Sequence, residues 1–323
     1  MKKQNPTRLP VTRGNRYKVI NWNEYNRSLK LRGSIKIWIS EDSLAKWYHE
    51  GALKRGAQYV YSDICIELCI MLRKIYHLPL RQTEGLMRSI MQASGTSLKV
   101  PDYTVICRRS KNLNIDLGIE NKIRKGETIN IALDATGLKV YGEGEWKVRQ
   151  HGYSKYRTWR KLHIGIDPLT GLIHAQELTF NSEDDSALVE KLIDQVKMPV
   201  EHVLGDGIYD TRKAYDPLHQ RNIKPIIPPR KSARITRNCD KENSFYLRNE
   251  AIRNIRKHGK RKWKRKMGYH QRSKVETTMF RYKTAFGPKL QSREFERQKN
   301  ETKICCKILN KMMQLGKPIF NKN

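Results

Sequence analysis

Apolar residues recur every three to four positions along Val60–His77, which puts Ile64, Leu68, Met71, Leu72 and Ile75 on one side of a helix. A second helical stretch runs from Leu80 to about Ala93 and stops at Ser94-Gly95. Val100-Pro101-Asp102 then opens a short third helix that ends in Cys107-Arg108-Arg109, with Asp102 placed as its cap. Upstream, Ser40-Glu41-Asp42 reads as a helix start ahead of Leu44, Trp47 and Tyr48. Residues 1–35 show little periodicity and several cations, so they are expected to form a basic arm.

The period changes after a polar linker over residues 111–127. Ile129–Leu133 is rich in strand formers and Trp159–Asp167 alternates; Asp167-Pro168-Leu169-Thr170-Gly171 supplies turn residues, and Leu172–Phe180 returns as a strand. Asn181–Asp185 starts a helix that carries Leu188, Val189, Leu192 and Ile193, with Ser182 as the expected cap and Asp185 in the capping-box position. A strand leads to Asp206, Asp210 is expected to cap a helix over 211–220, and Ile223–Ile227 is a short strand before Pro228-Pro229. A final helix from about Phe295 to Leu315 follows a turn at Gly287-Pro288 and presents Ile304, Ile308, Leu309 and Met312 as a packing stripe.

Charge narrows what such a chain does. The 323 residues include 65 Lys and Arg against 32 Asp and Glu, a formal charge of +33. That excess repels itself unless a polyanion neutralises it, and nucleic acid is the expected polyanion. A membrane surface is disfavoured, because the sequence has no apolar run of spanning length and no long basic amphipathic helix. The N-terminus is basic but lacks the apolar region of a secretory signal, so a cytoplasmic location is expected, at the nucleoid if the source is bacterial. The six cysteines form no Cys-x-x-Cys pair; Cys65 and Cys69 lie one helical turn apart in the apolar pattern and read as buried reduced thiols.

The chemistry concentrates in Tyr269–Lys283. On one continuous helix at about 100° per residue, Tyr269, Arg272, Glu276 and Lys283 fall within about 60° of one another. Just upstream, residues 253–266 hold nine Lys or Arg in fourteen positions, with Trp263 among them. Such a run is commonly a solvated face, but here it leads directly into the carboxylate face, which suits a surface that tracks phosphates. Two apolar runs end in aspartates, Ile131-Ala132-Leu133-Asp134 and Val203-Leu204-Gly205-Asp206. Asp134, Asp206 and Glu276 together offer hard oxygen ligands for divalent ions, the donor set needed to displace at a phosphodiester. Asp167, Asp184 and Asp185 are better explained as turn and helix-start residues, and His163 and His174 as strand residues.

The spacing Tyr269-x2-Arg272-x3-Glu276-x6-Lys283 resembles the signature around the third carboxylate of DDE transposases from bacterial insertion sequences. The stretches around Asp134 and Asp206 are similar to the first and second carboxylate motifs of that family, and the resemblance covers roughly residues 20–318. It implies an α+β chain: a basic arm over 1–35, an N-terminal all-helical, helix-turn-helix-like domain over 36–125, and a ribonuclease-H-like α/β catalytic domain with a mixed sheet over 126–323. The implied catalytic and metal-binding residues are Asp134, Asp206 and Glu276. Their implied cofactor is two Mg²⁺ ions, with Mn²⁺ as a substitute.

The implied partner is double-stranded DNA, both the element's ends and the target, bound by a homodimer or higher assembly without a membrane. Tyr269, Arg272 and Lys283 would grip the cleaved end, with Lys264 and Arg265 of the basic run beside them. Arg149, His151, Lys155 and Arg157 form a second basic strip between the first two carboxylates, with Trp146 a candidate to stack on a base. Arg108 and Arg109, with Tyr103 and Thr104, lie on the candidate recognition helix. Glu276 follows Asp206 by 70 residues, too few for the large β-rich insertion that some relatives carry there with a hairpin-ended intermediate. Two other functions fit fewer of these features: a non-catalytic DNA-binding regulator on the same scaffold, and a structure-selective nuclease.

Overall fold

The computed structural model describes residues 17–51, 55–56, 58–119, 127–140 and 159–322. From Tyr17 the chain forms a strand, β1 (Tyr17–Val19), and a helix, α1 (Trp22–Arg32). β1 pairs antiparallel with the last strand of the chain, β7 (Phe320–Lys322). A Cβ added at Gly316 would lie 2.9 Å from the Cβ of Ser28, so α1 closes against the C-terminal segment at a glycine. This corrects the expected arm over residues 1–35, whose described residues include a strand and a helix. The partner that orders it lies at the far end of the sequence.

Short helices α2 (Ile35–Trp38) and α3 (Glu41–Ala45) follow, and the Ser40 hydroxyl accepts from the Ser43 N–H at the start of α3. The apolar stripe of Val60–His77 becomes α4 (Asp63–Ile75), capped by Ser62. Leu68, Met71 and Leu72 are buried, whereas Ile64 at the first turn is 40% exposed. Helix α5 (Leu80–Ala93) ends in a turn at Gly95, whose φ of +66° suits a glycine. Asp102 then caps α6 (Tyr103–Arg109), accepting from the Thr104 N–H at 2.7 Å. Glu84 of α5 accepts from the Tyr103 N–H at 2.9 Å and locks the two helices together.

The part of the chain after residue 127 is built on five strands: β2 (Ile129–Lys139), β3 (Trp159–Ile166), β4 (Ile173–Phe180), β5 (Val200–Leu204) and β6 (Lys224–Ile226). Their order across the sheet is β4-β3-β2-β5-β6. β2, β3 and β4 are antiparallel neighbours, while β5 and β6 run parallel to β2. Between β4 and β5 lies α7 (Val189–Ile193), and between β5 and β6 lies α8 (Arg212–Gln220). These two helices cover Ile131, Leu133 and Val203 on one face of the sheet. The remaining elements are α9 (Tyr246–His258), α10 (Lys260–Lys266), α11 (Ser273–Phe286) and α12 (Phe295–Leu315). An N-terminal helical region followed by a mixed sheet with helices on both faces makes this an α/β chain of the ribonuclease-H-like type.

α11 and α12 pack the other face of the sheet. Leu162, Ile164 and Ile166 of β3, Val275, Met279 and Tyr282 of α11, and Ile304 and Ile308 of α12 join Trp38, Trp47 and Leu72 in one apolar cluster. Each fully buried Leu or Ile side chain there contributes about 1.5–3 kcal/mol. α12 occupies the bounds read from the sequence and buries Ile304, Ile308 and Leu309 of the stripe, with Met312 partly buried beside them. All six cysteines are free thiols, four of them buried.

Two caps differ from expectation. Asp184, not Ser182, accepts from the Ser186 N–H at 3.1 Å, and a 3₁₀ turn over Asp185–Leu188 precedes α7. Lys213 of α8 holds the same Asp184 carboxylate at 3.0 Å, so a tertiary partner selects the cap. Asp210 does not cap α8, which starts after Thr211. It is buried instead in an ion pair with Arg248 of α9, Oδ1 to Nε at 2.7 Å.

Candidate active site

An apolar strand delivers each aspartate. Ile131, Ala132 and Leu133 are fully buried in the centre of the sheet, and Asp134 is the next residue of β2, its side chain 22% exposed. β5 runs parallel beside β2, with Ala132 opposite Leu204. Continued by two residues, that register brings Asp206 level with Asp134. Gly205 between them is required by space, because a Cβ there would lie 2.9 Å from the ring of Tyr209. Asp206 accepts from the Ile208 N–H at 2.8 Å, which turns the chain sharply after the strand.

A clamp from outside the strand fixes that turn. Arg230 donates from Nε to the Gly207 carbonyl at 3.0 Å and from Nη2 to the Ile208 carbonyl at 2.9 Å. Its own N–H donates to Asp210 at 2.9 Å, and Asp210 is the partner of Arg248. Arg230, Asp210 and Arg248 thus position the second aspartate without belonging to the acidic set. The sequence signals none of these three. The nearest hint is the acid that follows Tyr209, and its partner lies two helices downstream.

The third carboxylate arrives on α11. Tyr269–Arg272 form a separate 3₁₀ turn and α11 begins at Ser273, which corrects the single helix expected across Tyr269–Lys283. Gly268, at φ +63°, sets the break. α11 buries Val275, Thr278, Met279, Tyr282 and Phe286 against the sheet and leaves Glu276 on its open side, with a side chain 54% exposed. Arg272 stands between the acids: its Nη1 lies 3.3 Å from Asp134 Oδ2, and its Nη2 contacts Glu276 Oε1.

The electrostatics express the crowding. Burial pushes the Asp134 carboxyl above the ordinary carboxylate range, and the charges of Asp206 and Glu276 push the same way; the Ala135 N–H and Arg272 oppose them. Burial works against the Arg272 charge, but Tyr269, Asp134, Glu276 and Asp206 outweigh it and raise its value. Burial raises the half-buried phenol of Tyr269 as well. Tyr269 lies between two cations, Lys264 Nζ at 4.6 Å and the Arg272 guanidinium at 5.9 Å from the ring centre.

Three carboxylates around one arginine are a donor set of hard oxygens, which suits divalent cations in chemistry. As placed, no three His, Cys, Asp or Glu side chains among the described residues stand close enough to hold one ion. The guanidinium fills the middle.

The other expected residues divide. The basic run spans the end of α9 and all of α10, broken at Gly259, whose φ is +80°. Eight of its nine cations, including Arg265, are exposed, and Lys264 is half-buried. Among the described residues only Arg253 of the nine has a carboxylate partner. Trp263 is 5% exposed and anchors the run to the core. Lys283 is half-buried, two turns along α11 from Glu276. Arg108 is exposed on α6, but Arg109 is only 8% exposed. Its guanidinium is bound to Asp63 at 2.5 Å and to the Tyr61 carbonyl at 2.9 Å, which makes it a packing residue. Trp146, Arg149, His151, Lys155 and Arg157 lie outside the described residues. Between Asp206 and Glu276 the only strand is β6, so no β-rich insertion is present. No helix among the described residues is long and apolar enough to cross a membrane.

Two family models, each described as a transposase DDE domain, match the chain, one over residues 30–143 and the other over residues 125–311. The second match spans the sheet, the 206–210 turn and α11, and so contains all three carboxylates. With the acids, the fold and this match in agreement, the chain belongs to the DDE transposases of the insertion-sequence type, enzymes that cleave DNA and catalyse transposition.

Proposed function

We propose that this transposase binds the terminal inverted repeats of its element, cleaves there to expose 3′-hydroxyl ends and transfers those ends to target DNA. The observation that supports the proposal is that Asp134 and Glu276 share one guanidinium, with the charge of Asp206 near enough to act on Asp134 and Arg272. Asp134, Asp206 and Glu276 would hold two divalent ions, Mg²⁺ or Mn²⁺. Bound there, such ions supply charge stabilisation for an in-line displacement at phosphorus.

The protein's own groups do the rest. Arg272 and Lys283 bind phosphate oxygens of the end being cut, Arg272 through its planar fork. Tyr269, packed between Lys264 and Arg272, supports the backbone beside them. The exposed cations of α9 and α10, which apart from Arg253 have no acidic partner among the described residues, carry the duplex toward the carboxylates through contacts that do not depend on sequence. Arg108 and Thr104, exposed on α6, are the candidates for reading the repeat in a groove. Synapsis of two ends calls for at least a dimer.

The test is incubation of the purified chain with duplex carrying the element's ends and Mg²⁺. Cleavage and strand transfer are expected, and Glu276→Ala should lose both while retaining DNA binding. Unimpaired cleavage by Glu276→Ala would remove that residue from the catalytic set. Binding without any cleavage by the unaltered chain would favour the regulator instead.

A further inference from the structure

Arg272 has two competing employments. Its side chain is 16% exposed, with Nη1 on Asp134 at 3.3 Å and Nη2 on Glu276. The function proposed above, on which this inference rests, also requires that guanidinium on a DNA phosphate. Two of its five N–H donors are engaged by acids, and the side chain is held between them, so a phosphate would have to compete with Asp134 and Glu276 for the fork. The same contacts take one oxygen of Asp134 and one of Glu276 and put a positive charge where a divalent ion would sit.

We propose that Arg272 is a resident counter-cation. In the absence of DNA it holds Asp134 and Glu276 and keeps divalent ions out; a DNA phosphate draws it away and opens the carboxylates. DNA binding and metal binding are then positively coupled through one side chain, and the coupling is reciprocal.

Three features favour an exchangeable contact over a permanent one. Glu276 is 54% exposed and one helical turn from Arg272, a pairing that costs little to break in water. The Asp134 contact is single and long at 3.3 Å. Arg272 ends a 3₁₀ turn and adjoins the first residue of α11, with ordinary helical backbone angles of −55° and −33°, so only its side chain has to move. Something must nonetheless sit there. Asp134 is largely buried and faces two further carboxylates, and a buried charge without a partner is costly. The arginine meets that need until a metal ion does.

Mn²⁺ titration of the full chain, followed by electron paramagnetic resonance without DNA, reads the coupling directly. Arg272→Gln should bind Mn²⁺ on the order of 10-fold more tightly than the unaltered chain, within the usual range of coupling between sites. A short 5′-phosphorylated duplex should tighten Mn²⁺ binding by the unaltered chain by a similar factor and change the variant little. Arg272→Lys, a point charge that cannot bridge both acids, should fall between them, and melting curves in EDTA report whether each variant is folded. Equal Mn²⁺ affinity in Arg272→Gln and the unaltered chain, or equal tightening of both by duplex, overturns the counter-cation. Asp134→Asn and Glu276→Gln should each weaken Mn²⁺ binding. If they do and Arg272→Gln shows no gain, only the coupling fails; if they do not, the metal site fails and the coupling with it.

Discussion

Two clusters in this transposase pair a cation with carboxylates, and they are built to opposite ends. Lys74 of α4 and Glu301 of α12 are 3% and 4% exposed. Glu301 also accepts from the N–H groups of Gln291 and Ser292, each at 2.8 Å, so its oxygens are fully occupied. That pair ties α4 to α12 and to the segment after α11, whose Leu290 N–H donates to the carbonyl of Lys139 at the end of β2. The cluster at Arg272 has one acid half in solvent, another burdened by like charges, and a cation reached by single contacts. A sealed and saturated pair fixes architecture; an open and unsaturated one can exchange partners.

The sharpest way to break the comparison is to remove one charge from each cluster. Lys74→Met leaves a buried carboxylate without its cation and should cost about 3–5 kcal/mol in denaturant unfolding. Glu276→Gln should leave the denaturation midpoint nearly unchanged while abolishing cleavage. Similar losses of stability from both substitutions would show that the two clusters are alike.

Acid should separate a third group from both. Burial pushes the His163 imidazole on β3 down to about 4 from an ordinary 6.5; Asp185 opposes this and Lys161 adds to it. Its Nε2 lies 2.9 Å from the Thr179 hydroxyl. Between those two values the unfolded chain binds the proton and the folded chain does not. The stability from the neutral ring is therefore complete above 6.5 and lost as pH falls toward 4, about 3 kcal/mol in all. His163→Gln should flatten unfolding free energy across that window. Glu301 acts lower. Burial works against its ionisation, but Lys74 and the neighbouring N–H groups hold its carboxyl below the ordinary range, so its contribution fades only as pH falls through that depressed value. The smallest effect belongs to the surface: Arg253→Ala should leave the midpoint within measurement error, because its partner Glu250 is 42% exposed.

Local periodicity accounts for what could be read beforehand. The apolar stripe of α12, the serine start of α3 and the aspartate start of α6 depend on residues within a turn or two of each other. An apolar run that ends abruptly in an acid marks a strand that delivers a side chain at the edge of the core: Asp206 lies just past the end of β5, whereas β2 runs on through Asp134 to Lys139. The features that escaped depend on distant partners. Asp210 looks like a helix cap until Arg248 arrives from α9, and Arg109 looks like a DNA contact until Asp63 takes it inside. β1 is ordered by β7 from the other end of the chain. The 3₁₀ break at Tyr269–Arg272 is local, but the left-handed backbone at Gly268 has no periodic signature.

The most direct test of the carboxylate assignment replaces a hard ligand by a soft one. Asp134→Cys should cut element-end duplex poorly in Mg²⁺ and recover in Mn²⁺, because thiolate is a poor ligand for the harder ion. The unaltered chain should cut in both. A folded Asp134→Cys variant that cuts in Mg²⁺ as fast as the unaltered chain would contradict the account, since Asp134 would then touch no metal in the reaction.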